Sequence, residues 1–269
     1  MASWTFNEPW PNAAHGCVVD YYGLPKMGYY WVREALATID VSLAYSNVRA
    51  VAGQRLNATV WIDTERAAES VAVKAEYIDP HTGQSVGDPE TWTAETSPAA
   101  PVGLGRLKLS PAASLIGGVL LVRLTASPTM VGNDGGDGTV QDYFFGITAA
   151  AGATGGGYGV GGPLSPLLTT PPVALSLSVA ANGTILVTAA VGGACALFVK
   201  PTLRDSDGAQ VGYVTFSRGF FTLLPGQSAS LEPTSAPLPS NAVSACVEAW
   251  RSPRRCVEWR GGSRIRLEV

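Results

Sequence analysis

The sequence predicts a mainly β protein: two immunoglobulin-like β-sandwich domains preceded by a short strand–helix segment. Three observations predict it. From Ile39 onward, apolar residues alternate with polar ones at a period of two, the mark of strands with one face on a core and one in water. Short turn-forming stretches such as "HTG" and "ANGT" separate the alternating runs. Only the first 38 residues carry a helical period.

Taken in order, "SWTF" reads as a short strand and "PKMGYYWVREALAT", Pro25–Thr38, as a helix. Pro25 suits the first helical position, and Met27, Tyr30, Trp31 and Ala35 share one face. Residues 1–38 cannot bury that aromatic face alone. The expectation is partial docking on the first sandwich, with a residual sticky patch. In residues 39–148, Ile39, Val41, Leu43 and Tyr45 alternate with polar or small neighbours. So do Leu56, Ala58, Val60 and Ile62, and then Val71, Val73, Ala75 and Tyr77. Further strands are expected near Trp92 and at "GRLKLS", "GVLLVRLTA" and "DYFFGIT", which completes an immunoglobulin-like pattern. Residues 149–172, "AAAGATGGGYGVGG" running into "PLSPLLTTPP", read as a linker, flexible at the glycines and stiffer at the prolines. In residues 173–269 a second sandwich is expected. Its strands fall at Val173–Val179, "TILVTAAV", "ALFVKPTLRD", "GYVTF", "GFFTLLPGQSASLEP" and "NAVSACVEAW".

Composition narrows the function classes. With 46% apolar and only 14% charged residues, the chain has the material for a packed core. A net charge of −3 gives no basic footprint, so no nucleic-acid partner is expected. The six arginines of "RSPRRCVEWRGGSRIRLEV" read as a solvated terminal hairpin rather than a phosphate-binding tail. No apolar run is long enough to span a membrane, so no membrane partner is expected either. Met1-Ala2-Ser3 leads straight into Trp4 without a signal-type segment, so export of the chain as written has no support, and the compartment stays open. Cys17, Cys195, Cys246 and Cys256 form no C-x-x-C pair, and His15 and His81 are far apart, so no metal or cofactor is expected. Cys246 and Cys256 are placed to face each other across a hairpin turning at Ser252-Pro253, with free thiols the other reading. "GNDGGDG", Gly132–Gly138, reads as a hairpin loop rather than a calcium site.

One stretch suggests chemistry. Asn7-Glu8-Pro9, flanked by Trp4 and Trp10, has the form of a glycosidase acid/base carboxylate with a neighbouring amide and a stacking ring. Glycoside hydrolysis needs a second carboxylate, and Asp20 is the nearest in sequence. Nothing in the sequence fixes Asp20 opposite Glu8, and a (β/α)8 barrel needs eight strand–helix units where one is visible. The tyrosines at 21, 22, 29 and 30, with Trp31, read as core packing in preference to a sugar platform.

The segment "FNEPWPNAAHGCVVDYYGLPKMGYYWVREA" resembles the end of the catalytic barrel in family 2 glycoside hydrolases, in the β-mannosidase and exo-β-glucosaminidase branch. There the eighth strand ends in an Asn-Asp/Glu-x-Trp-Pro pattern, matched here by Asn7, Glu8, Trp10 and Pro11. A Val-Val-Asp-Tyr-Tyr-Gly-x-Pro-Lys segment and a helix with Tyr-Tyr follow, matched by Val18 to Lys26 and by Tyr29 and Tyr30. "VGYVTFSRGFFTLLPGQSASLE" is similar to the terminal immunoglobulin-like domain of the same enzymes. The resemblance implies that residues 1–38 are a strand–helix remnant of the barrel. It implies a C-terminal accessory region of a β-mannosidase-like enzyme, whose intact form acts on a β-mannoside or β-glucosaminide. Asn7, Glu8 and Trp10 would then be walls of the sugar pocket and not catalytic. The acid/base and nucleophile would lie ahead of Met1, leaving the chain inactive alone. A stand-alone carbohydrate-binding or protein-interaction module is the alternative, and a small glycosidase using Glu8 a third reading.

Overall fold

Alternation in Ile39–Tyr45 assigns Ile39, Val41 and Leu43 to one face, and all three are buried in the computed structural model of the chain. The structure describes residues 6–8, 11, 16–65, 69–98, 100–129, 138–149, 162–235 and 238–259. Among these, the chain divides into two compact units. One is drawn from Met1–Arg33 together with Pro171–Val269, the other from Glu34–Thr170. Each holds two β-sheets, so the chain is mainly β with β-sandwich domains, as the alternation predicts.

The unit Glu34–Thr170 holds β1 (Ile39–Tyr45), β2 (Arg49–Val51), β3 (Ala58–Thr64), β4 (Glu69–Ile78), β5 (Glu90–Thr96), β6 (Val102–Arg106), β7 (Val119–Pro128) and β8 (Thr139–Thr148). One sheet has the order β1-β3-β6 and the other β2-β8-β7-β4-β5. Every pairing is antiparallel except the edge pair β2–β8. Val41, Val60, Ile62, Val73, Tyr77, Leu120 and Phe145 belong to one core between the sheets. Full burial of one such side chain stabilises by about 1.5–3 kcal/mol. β7 departs from alternation: Val119 to Leu124 are all buried, including Arg123. That guanidinium is held by its cross-strand partner Asp142 through two bonds, Nε to Oδ1 at 2.8 Å and Nη2 to Oδ2 at 2.9 Å. The fork geometry compensates a charge that would otherwise be costly to bury.

The proline-rich end of the segment expected to be a linker packs on this sandwich. Ser165–Thr169 forms a 3₁₀ turn, Pro166 O lies 3.0 Å from His81 Nε2, and Thr170 is buried. Gly146 in β8 lies so close to Pro163 that a Cβ there would sit 1.9 Å from the Pro163 carbonyl oxygen. The glycine-rich stretch 150–161 and most of "GNDGGDG" lie outside the described residues.

The other unit holds β9 (Leu175–Val179), β10 (Ile185–Ala189), β11 (Ala196–Arg204), β12 (Phe221–Leu223), β13 (Ser228–Leu231), β14 (Ser244–Glu248) and β15 (Arg255–Glu258). Its sheets have the orders β13-β10-β9 and β12-β11-β14-β15. Val187, Leu203, Phe216, Phe221, Leu231 and Val247 share its core. Cys246 and Cys256 stand opposite each other in β14 and β15 and form a disulfide that ties down the edge strand. Cys17 and Cys195 are buried thiols. "GYVTF" is not a regular strand. Tyr213 adopts φ +60° there, and Tyr213 N donates to Gly23 O at 2.8 Å, so the segment is bonded to the N-terminal part of the chain.

Gly146→Ala is expected to dislodge residues 163–170 from the first sandwich, because the added methyl overlaps the Pro163 carbonyl. Hydrogen exchange at the Leu167 and Thr170 amides should accelerate. Unchanged exchange at both would show that the close approach is not what holds the segment.

Candidate functional site

The candidate site begins where the first strand meets the loop that follows it. Asn7 pairs with Val19 in a short parallel bridge, and Glu8 N donates to Val19 O at 3.2 Å. Val19 in turn bridges antiparallel to Pro25, and Lys26 N donates to Val18 O at 2.9 Å. Lys26 is thereby returned alongside Glu8, and its Nζ donates to Glu8 Oε1 in an ion pair. Glu8 is 4% exposed, so its charge is compensated by a lysine that is itself only partly buried. Trp10 lies outside the described residues, as do Trp4 and His15.

Asp20 has a different task. Its Oδ1 accepts from Tyr22 N at 2.9 Å and from Leu24 N at 2.8 Å, while Gly23 N donates to Asp20 O at 3.1 Å. This is a side-chain-closed turn, for which aspartate is well suited. One of its two carboxylate oxygens is thereby committed to the backbone. Glu8 is thus ion-paired and Asp20 closes a turn. Among the described residues, no group of three or more His, Cys, Asp or Glu is placed to hold a metal ion. Among the same residues, no helix is long and apolar enough to cross a membrane.

The turn fixes Gly23 at φ +74°, a backbone state that favours glycine. A side chain there would meet the Tyr213 ring at 2.6 Å. Tyr21, Tyr22 and Tyr213 are all exposed, with Tyr21 edge-on to Tyr22 at a centroid distance of 5.3 Å. Core packing, expected for Tyr21, Tyr22, Tyr29, Tyr30 and Trp31, holds for Tyr30 and not for the exposed Tyr21, Tyr22 and Trp31.

The helix, α1 (Met27–Ala35), is shorter than the predicted Pro25–Thr38 at both ends, and at the first end Pro25 is engaged with Val19 instead. Of its predicted apolar face, Tyr30 is buried, while Trp31 and Ala35 are exposed. Tyr30 packs on the C-terminal sandwich, where docking on the first sandwich was expected. Phe216 N donates to Tyr30 Oη at 3.3 Å, Arg33 Nη1 donates to Phe216 O at 2.7 Å, and the Tyr30 and Phe220 rings are 6.0 Å apart. Gly219 makes room, since a Cβ there would lie 2.6 Å from the Tyr30 ring. Burial pushes the Tyr30 hydroxyl up from 10.0 to about 12, opposed in part by the Phe216 N–H. The sequence identifies Tyr30 as a face residue but carries no signal for a partner nearly two hundred positions away.

This fold, a strand–loop–helix segment joined to two β-sandwich units, is shared with larger carbohydrate-processing enzymes. The exo-chitosanase CsxA of Amycolatopsis orientalis superposes with a TM-score of 0.67 at 16% identity, over 95% of this chain and 30% of that one. The same enzyme, also described as an exo-β-D-glucosaminidase, superposes at 0.66 and 16% identity in a study of its inhibition, with the same coverage of both chains. The β-D-mannosidase of Dictyoglomus thermophilum superposes at 0.58 and 18% identity, over 93% of this chain and 26% of that one. The chain thus spans under a third of the length of these neighbours. No protein-family model and no curated protein sequence matches it.

Two outcomes test the Tyr30 contact. Gly219→Ala should destabilise by about 1–3 kcal/mol in urea, the usual cost of overpacking. The second is alkaline. With Tyr30 raised to about 12, the unfolded chain ionises first. The contribution of this packing is complete below pH 10 and is lost between pH 10 and about pH 12. Tyr30→Phe should flatten that loss, leaving the shares from Tyr143, which burial also raises to about 12, and from Tyr77, which burial raises as well. An alkaline transition identical in the variant would show that Tyr30 is not buried in solution.

Proposed function

We propose that the chain is the C-terminal accessory region of a β-mannosidase-like family 2 glycoside hydrolase that cleaves O-glycosyl bonds in its longer form. The observation that carries this reading is a single superposition covering 95% of the chain on an exo-chitosanase. Residues 1–38, the sandwich at about 39–148 and the sandwich at 173–269 follow the element order that the sequence resemblance implies. In this reading residues 1–38 are the last strand and helix of a catalytic barrel, and residues 149–172 connect the sandwiches. Asn7, Glu8 and Trp10 are walls of the sugar pocket. The Glu8–Lys26 pair supports a wall role, because it holds the Glu8 side chain in one place. The substrate is a β-mannoside or β-glucosaminide, and the two catalytic carboxylates come from the longer protein. The segment-anchored C-terminal unit then fixes the last barrel strand, a positioning task with large rate consequences.

A second reading has its own observation. Exposed Tyr21, Tyr22 and Tyr213 form an aromatic surface suited to a stand-alone carbohydrate-binding or protein-interaction module.

The chain alone is expected to hydrolyse neither p-nitrophenyl β-mannoside nor p-nitrophenyl β-glucosaminide. Extension with in-frame coding sequence from upstream of Met1, encoding a barrel, should confer turnover on one of them. Turnover by the chain alone that vanishes in Glu8→Gln would overturn the accessory-region reading. An upstream sequence with no barrel would favour the binding module.

A further inference from the structure

The outer face of the sheet β1-β3-β6 carries an aromatic ring beside a row of carboxylates. Along β3 the residues Val60, Ile62 and Thr64 are buried, which leaves Trp61 and Asp63 on the outer face, both exposed. Glu65 continues the alternation and is exposed too, with its N donating to Thr38 O at 3.0 Å. The register of β1 on β3 sets Ser42 opposite Trp61 and Asp40 opposite Asp63. On the other side, β6 sets Gly103 opposite Trp61. That glycine decides how the ring lies. A Cβ there would meet Cη2, Cζ3 and Cζ2 of the Trp61 ring at 3.4, 3.4 and 3.6 Å. Such even distances place the ring face-down on Gly103, so its other face is turned to solvent, at 38% exposure. The carboxylates beside it lack a counterion. Residues directly opposite on paired strands hold their Cβ atoms about 4.5–5.5 Å apart, where like charges are destabilising. Asp40 Oδ1 accepts from Gln141 Nε2 at 3.4 Å, and Asp63 Oδ1 from Thr64 N at 2.9 Å. Both donors are neutral, and among the described residues Asp40, Asp63 and Glu65 form no ion pair. Arg106 stands at the far end of the face, opposite Thr59, and its Nη2 donates to Asn57 Oδ1 at 2.8 Å. Partial burial, with the Asp63 charge adding to it and Gln141 opposing, raises the Asp40 carboxyl above its ordinary value. A positive charge is what this face lacks.

We propose that this face binds a short chain of β-linked amino sugars, with one ring lying on Trp61 and the ammonium groups set against Asp63, Asp40 and Glu65. Charge selects a cation, and the spread of the carboxylates selects its form. Among the described residues no group of three or more His, Cys, Asp or Glu converges to hold a metal ion, so a cation distributed over several rings fits where a single ion does not. Successive outward positions on a strand are about 6.4–6.8 Å apart, a step comparable to one ring of a sugar chain. The ring of Trp61 selects a flat partner. Gly103 beneath it and Ser42 beside it are small, so the solvent-facing side of the indole is open to the apolar face of a pyranose. The same indole face also attracts a nearby ammonium. A basic peptide matches the charge but has no rigid ring to cover the indole. The assignment stands on the chemistry of this face and not on the proposed function above.

The test is an amide and indole chemical-shift titration of the full chain at about pH 6, where amines are charged and carboxylates ionised. The probes are a β-linked glucosamine tetramer, its fully N-acetylated counterpart and tetralysine. Shifts are expected at the Trp61 indole and the Asp40 and Asp63 amides with the glucosamine tetramer, and binding should weaken as salt is added. The N-acetylated tetramer, which has the rings without the charge, and tetralysine, which has the charge without the rings, should each bind roughly tenfold more weakly or worse. Trp61→Ala and Asp63→Asn should each weaken binding of the glucosamine tetramer by roughly tenfold, the ratio given by one lost aromatic or charge-assisted contact. Both side chains are exposed, and asparagine keeps an oxygen for Thr64 N, so the fold is retained and the test stays valid. Three results would overturn the proposal: no shift at these groups up to about 10 mM glucosamine tetramer, a range reaching Kd values weaker than 1 mM; the N-acetylated tetramer or tetralysine binding as tightly as the glucosamine tetramer; or binding that either substitution leaves undiminished.

Discussion

Tyr30 is the only fully buried large ring of the first helix, and its burial dictates how the chain is organised. A nine-residue helix has little stability of its own and must be held by packing. The holder is Phe216, Gly219 and Phe220, close to the other end of the sequence. Residues from the two ends therefore make one unit, and Glu34–Thr170 is a complete sandwich inserted between them. A second attachment repeats the arrangement. The Asp20 turn delivers Gly23 O to Tyr213 N, and the close approach of Tyr22 O to Gly212 leaves no room for a side chain there. The 3₁₀ turn Ser165–Thr169 packs on the inserted sandwich through His81 before the chain reaches Pro171.

This organisation bears on function through the first strand. Glu8 and Asn7 are positioned by Val19, the adjacent loop by Asp20, and the helix by Tyr30. A segment so anchored is a fixed platform for whatever its strand joins. In the proposed reading that is the wall of a sugar pocket, and the C-terminal sandwich acts as its mount. In the same reading the pairing of Glu8 with Lys26 holds that carboxylate in place on the pocket wall.

Much of the fold was legible in the sequence, for a local reason. Alternation is a property of neighbouring residues, and Val41, Val60, Val73 and Val187 are buried as their runs demand. β7 hides its strand signature because both of its faces are covered, yet its apolar run still reads as a strand. Non-local features were not legible. "GYVTF" alternates well but is diverted by Tyr213 and Gly23. The disulfide needed the register of β14 on β15, which spacing alone left open. At the candidate site, sequence spacing brought out Glu8 and Asp20 but could not reveal that Lys26 pairs with one and that backbone amides occupy the other.

The most direct measurement is native-state hydrogen exchange on the chain with residues 1–33 removed. If the segment belongs to the C-terminal unit, amides of β10, β11 and β14 should lose protection by several kcal/mol, the scale expected for exposing a buried aromatic and its neighbours. Amides of β1, β3 and β7 in the inserted sandwich should keep theirs. Unchanged protection throughout the C-terminal sandwich would contradict the dependence on Tyr30 and reduce the segment to an appendage.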